Sequence, residues 1–128
     1  MHEAGIAASI LEIAEAEARQ RGARAIAAVK VKVGDFSGVV PDALQFAFEA
    51  LRAETMASGA KLIIERVPIS AWCPACRQES RPDADLILWC PRCGAPLEVR
   101  AGQELDVEYI DLEEGGPLWN ESLSSSAV

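Results

Sequence analysis

The residues best equipped for chemistry are two knuckles, Cys73-Pro74-Ala75-Cys76 and Cys90-Pro91-Arg92-Cys93, which hold all four cysteines of the chain. Residues 77–89 separate them. Two C-P-x-C knuckles joined by a short loop offer the tetrahedral four-thiolate set of a structural zinc ribbon, because a two-residue spacer lets both sulfurs of a knuckle reach one metal. Proline at the first spacer position fixes φ, so less chain entropy is lost when the knuckle closes. Gly94 follows the second knuckle, where a positive φ is expected, and Arg77 takes the corresponding place after the first. A lone C-x-x-C suits redox work, whereas two of them flanking a loop point to metal. Four thiolates leave Zn²⁺ no open coordination position, so this metal holds structure and does not catalyse.

The second candidate is His2, the only histidine. Its position alone fits a frayed terminus. Its chemistry offers an alternative. The Met1 amine and the His2 amide nitrogen close a five-membered chelate ring on a metal, and the His2 amide and imidazole Nδ1 close a six-membered one. The Glu3 amide or carboxylate supplies a possible fourth ligand. Square-planar nitrogen and oxygen ligation suits Ni(II) or Cu(II). The first amides of a helix lack intrahelical partners, so their use as ligands breaks no helix bond. The positive end of the helix dipole opposes a cation there, and an acidic Glu3 is also what an ordinary first helical turn favours.

The elements that must position these groups follow from periodicity. Ile6, Ile10, Ile13 and Ala14 recur at helical spacing from the start of the chain, and Gly22 marks a stop. Ala25 to Val33 alternates Val29, Val31 and Val33 with Lys30 and Lys32, which predicts a strand with one buried face. Pro41 and Asp42 open a second helix with Leu44, Phe48 and Leu51 on its apolar stripe, and Ser58-Gly59 ends it. Lys61 to Val67 is a second strand. Leu105, Val107, Tyr109 and Leu112 mark a third. Trp72 and Trp89 each precede a knuckle and are expected to pack over the zinc core.

The predicted fold is α/β (α+β), two helices on a small three-stranded sheet with an inserted zinc ribbon. The expected division is 1–68 plus 98–113 as the α/β unit, 69–97 as the ribbon, and 114–128 as a disordered Gly-, Pro- and Ser-rich tail. The ribbon is too short to bury a core of its own, so zinc substitutes for one.

Composition narrows the function. The net charge of −8 opposes nucleic-acid binding, which needs Lys and Arg to displace phosphate counterions. Arg77, Arg81 and Arg92 crowd the ribbon and offset the net negative charge of a four-thiolate zinc centre. No apolar run reaches membrane-spanning length, and the opening residues lack a signal-like pattern, so a cytoplasmic protein with reduced thiols is expected. No nucleophile–base pair or phosphate loop is present, which argues against an enzyme. A zinc-ribbon adaptor for protein or nucleic acid, with no nickel role, is the rival reading.

Met1-His2-Glu3 at the head of an amphipathic helix resembles the start of the HypA/HybF proteins, the nickel-insertion chaperones of nickel–iron hydrogenase maturation. Val33-Gly34-Asp35-Phe36-Ser37-Gly38-Val39, the stretch Leu44-Gln45-Phe46-Ala47-Phe48, the two knuckles and Gly102-Gln103-Glu104-Leu105 also resemble that family. The resemblance covers residues 1 to 112. It implies exchangeable Ni(II) at His2, assisted by Met1 and Glu3, and structural zinc at Cys73, Cys76, Cys90 and Cys93. It also implies a GTPase partner of the HypB type and delivery to the hydrogenase large subunit.

Overall fold

A computed structural model describes residues 2–82 and 88–114. The element order is α1 (His2–Gln20), β1 (Ala25–Gly34), α2 (Pro41–Leu51), β2 (Lys61–Val67), β3 (Ser70–Cys73), β4 (Gln78–Ser80), β5 (Glu98–Ala101) and β6 (Leu105–Glu113). The strands form two three-stranded sheets, β2-β1-β6 and β4-β3-β5, so Glu98–Ala101, expected with the α/β unit, pair with β3 in the ribbon sheet instead. β1 runs parallel to β2 and antiparallel to β6, and the crossover from β1 to β2 carries α2. The expected architecture of two helices on a small sheet with a four-cysteine ribbon is therefore present.

Alternation along β1 decides which face is covered. Val29, Val31 and Val33 are at most 1% exposed and pack with Ile10, Leu11, Leu44 and Phe48 of the helices. Lys30 points the other way and pairs with Glu65 at 2.9 Å and Glu108 at 3.0 Å on the flanking strands. Helix α1 approaches through Ala7, Ala14 and Ala18, all fully buried, and small residues there let its backbone lie close to its neighbours. Val40 is the N-cap of α2 with Pro41 at its first turn, as the sequence predicts.

Five expected positions differ. Ile13 is 51% exposed because β6 ends the sheet on that side, and among the described residues nothing covers that flank of α1. The result is an open apolar groove of about 590 Å³ bordered by Ile6, Ile13, Leu105 and Val107. Leu51, the last residue of α2, lies outside the core. In β6 the register shifts between Lys30 and Val31, which pair with Tyr109 and Val107. The extra residue, Glu108, is a bulge, so Tyr109 falls on the Lys30 face and Ile110 takes the buried position. Finally, neither tryptophan covers the ribbon core. Each immediately precedes a buried cysteine, and neighbours in extended chain point to opposite sides. Trp89 is 59% exposed, and Trp72 lies beneath the Arg100 guanidinium, 4.7 Å from its ring centre.

One crossing ties the two sheets to the β1–α2 loop. The Gly34 amide donates to the Glu104 carbonyl at 2.8 Å, the Asp35 amide to Val67 at 2.8 Å, and the Phe36 amide to Gly102 at 2.6 Å. Val67 ends the strand that leads into the ribbon, and Gly102 to Glu104 link the ribbon to β6.

Candidate metal centres

The ribbon centre is built by two turns of the same design. The Arg77 amide donates to the Cys73 carbonyl at 2.7 Å, and the Gly94 amide donates to the Cys90 carbonyl at 2.8 Å. Both residues that close these turns are left-handed, Arg77 at φ 58° and Gly94 at φ 79°. The arginine thus accepts the conformation that glycine adopts freely. Within the turns the Cys76 amide donates to the Cys73 sulfur at 3.3 Å and the Arg92 amide to the Cys90 sulfur at 3.4 Å.

The four sulfurs lie within 4.8 Å of one another. Cys73 Sγ is 3.6 Å from Cys93 Sγ, and Cys76 Sγ is 3.8 Å from Cys90 Sγ. A zinc tetrahedron with bonds of ~2.3 Å has edges of roughly 3.8 Å, so the thiols present fit that ion. Cys73 and Cys90 are buried, Cys76 is partly buried and Cys93 is exposed. The Cys93 amide, foremost among its neighbours, draws the Cys90 thiol down to about 6. The Cys93 sulfur accepts from the Ala95 amide, which lowers its own pKa, but the adjacent Cys76 and Cys73 push it up to about 12. Thiols this close resist common ionisation, and a divalent cation removes that conflict.

The second centre gathers at the head of α1. The helix begins at His2, whose side chain is 61% exposed. His2 Nε2 lies 3.1 Å from the Gly38 carbonyl oxygen and 3.7 Å from Glu3 Oε2. Glu3 is the buried polar residue of the described chain, 8% exposed. Its Oε2 accepts from the Val40 amide at 3.0 Å. That donation is the largest of the influences that hold the Glu3 carboxyl down to about 2. Glu3 thus ties α1 to the β1–α2 loop. Met1 lies outside the described residues.

The structure brings His2 and Glu3 together at one end of α1, and the four cysteines together in the ribbon. Two participants had no signature in the sequence. The Gly38 carbonyl and the Val40 amide are backbone groups, and side-chain identity says nothing of where they point. The one hint was the glycine-rich run from Gly34 to Gly38, where the chain has to turn.

Comparison with known proteins shows the family and the fold. The family described as hydrogenase/urease nickel incorporation, metallochaperone, HypA matches residues 1–112. The hydrogenase maturation factor HypA of Geobacter metallireducens is 44% identical over 114 residues, which span 88% of this chain and 100% of that one. Its counterpart in Solidesulfovibrio magneticus is 40% identical over 117 residues, with the same coverage of 88% and 100%. The fold is similar to the solution structure of the Ni metallochaperone HypA from Helicobacter pylori, with a TM-score of 0.62 at 24% identity, covering 90% of this chain and 100% of that one. A second solution structure, of a HypA protein, gives a TM-score of 0.64 at 25% identity, covering 91% and 98%.

Proposed function

The chain belongs to the HypA family of nickel-incorporation metallochaperones, and from that premise we propose that it takes up Ni(II) at its own amino terminus and passes it on during nickel–iron hydrogenase maturation. The observation that supports this most is the setting of the only histidine. His2 stands exposed at the first turn of α1, where backbone amides have no helical partner and can serve a metal. The Met1 amine, the His2 amide and imidazole, and Glu3 complete the proposed site. Such a site releases its ion by ligand exchange, which suits cargo better than a resident cofactor.

The four cysteines would hold zinc as a structural ion. When bound, zinc supplies the ribbon with the cross-link that its small interior lacks, and with four thiolates it has no position left for substrate. The protein therefore acts as a carrier and not as an enzyme. Its partners are a GTPase of the HypB type and the hydrogenase large subunit, in the cytoplasm. The acidic chain, at net −8, is unsuited to duplex DNA.

The test is restoration of hydrogenase activity in a host that lacks its own HypA. The tag-free parent restores activity and His2→Ala, at equal expression, does not. Equal restoration by both would remove the amino terminus from the account and move nickel handling to another part of the chain.

A further inference from the structure

We propose that the β1–α2 loop prepares His2 for metal, with the Gly38 carbonyl as the positioning group that selects the imidazole tautomer. The inference rests on the nickel reading of His2 and concerns this chain's own residues.

Nε2 is faced by two oxygens, the Gly38 carbonyl at 3.1 Å and Glu3 Oε2 at 3.7 Å. The carbonyl can only accept, and Glu3 Oε2 is already accepting from the Val40 amide at 3.0 Å. A hydrogen on Nε2 satisfies this arrangement, whereas a lone pair there would face oxygen lone pairs. A neutral imidazole carries one ring hydrogen. Holding it on Nε2 leaves the lone pair on Nδ1, and Nδ1 is the nitrogen that closes a six-membered chelate ring with the residue's own amide nitrogen. A carbonyl on the other ring nitrogen also orients a ligating histidine and raises its basicity.

The direction of that carbonyl is fixed from several sides. Gly38 is left-handed at φ 84°. The Val39 amide donates to Ser37 Oγ at 3.2 Å, the Ser37 amide to the Gly34 carbonyl at 3.0 Å, and the Val40 amide to Glu3. A Cβ on Gly38 would meet nothing within 4 Å. Substitution there acts through φ and not through packing, which gives a clean pair of variants. Asparagine tolerates the left-handed region, and β-branched valine does not.

The experiment uses zinc-replete, tag-free full-length chain with ¹⁵N-labelled histidine. The single histidine gives one pair of ring nitrogens in long-range ¹H–¹⁵N spectra of the nickel-free protein, recorded where the imidazole is neutral. The parent and Gly38→Asn are expected to carry the hydrogen on Nε2 alone, with that proton slow enough in exchange to be seen. Gly38→Val is expected to show a mixture of tautomers and no visible Nε2 proton. In nickel titrations Gly38→Val binds roughly 10–100-fold more weakly, the usual consequence of losing such a partner, and Gly38→Asn stays close to the parent. A parent with its hydrogen on Nδ1, or a Gly38→Val variant with the parent's tautomer and affinity, overturns the inference while the nickel reading stands. Nickel binding that survives His2→Ala overturns the nickel reading and this inference with it.

Discussion

A Cβ on Gly34 would lie 2.0 Å from the carbonyl oxygen of Gly102. Gly34 ends β1, and Gly102 lies on the segment that returns from the ribbon. A Cβ on Gly102, at φ 107°, would in turn sit 2.7 Å from the Cα of Ile69, where the chain enters the ribbon. Three backbone segments thus meet at a point with no room for side chains. The loop that leaves this point carries Gly38 and Val40, the groups that hold His2 and Glu3. The stretches around Gly34 and Gly102, distant in sequence, lie against each other in space at this point.

Gly34→Ala should therefore cost at least ~2 kcal/mol, since the atoms it meets are backbone and cannot yield as a side chain would. Gly5→Ala is the matched control. Its Cβ meets nothing within 4 Å, and alanine in a helix gains roughly 0.5–1 kcal/mol over glycine. Urea unfolding midpoints measure both. Equal midpoints for Gly34→Ala and the parent would contradict the close crossing.

The zinc assignment predicts one zinc per chain in the reduced parent and almost none in Cys76→Ala. In ribbons of this kind metal binding, on the order of 10–16 kcal/mol, is folding free energy. Amide signals of 70–80 and 88–101 should therefore collapse in the variant. Those of β1, β2 and the helices should persist, because Val29, Val31, Leu44 and Phe48 bury one another without the ribbon. Metal analysis with amide spectra decides the matter, and full zinc in the variant would contradict it.

Glu3 predicts a pH effect of known sign. Its folded pKa is depressed, from 4.5 to about 2, chiefly by the Val40 amide. A depressed carboxyl stabilises the fold above its unfolded value and loses that contribution as pH falls through the window from 4.5 to about 2. The Val40 amide shift in nickel-free protein should titrate with a midpoint near the lower end. Glu3→Gln should abolish the transition and keep an acceptor for Val40. A midpoint near 4.5 in the parent would mean that the bond is not formed in solution.

Much of this was legible in the chain itself. The valine–lysine alternation of β1 and the proline-led start of α2 follow from local chemistry, and the knuckle spacing carried the clustering of the four cysteines. The misses share a cause, which is that neighbouring elements decide them. Ile13 fits the helical period of α1 yet is exposed because the sheet stops at β6. Tyr109 fits a strand alternation that the bulge at Glu108 reverses. Glu3 was read as a possible metal ligand or an ordinary first-turn acid, and its tie to Val40 depends on a loop 37 residues away. Of the expected tail, 114–128, all but Glu114 lies outside the described residues.

The most direct test of the account is calorimetric titration of Ni(II) into tag-free, zinc-loaded protein beside His2→Ala. The parent should bind one ion per chain with release of protons, and affinity should rise with pH, because the amine and any ligating amide must give up protons. His2→Ala should lose that binding while zinc content and fold stay unchanged, since no second histidine can replace it. Nickel bound by His2→Ala with the parent's affinity would contradict the account and move the site to the cysteines.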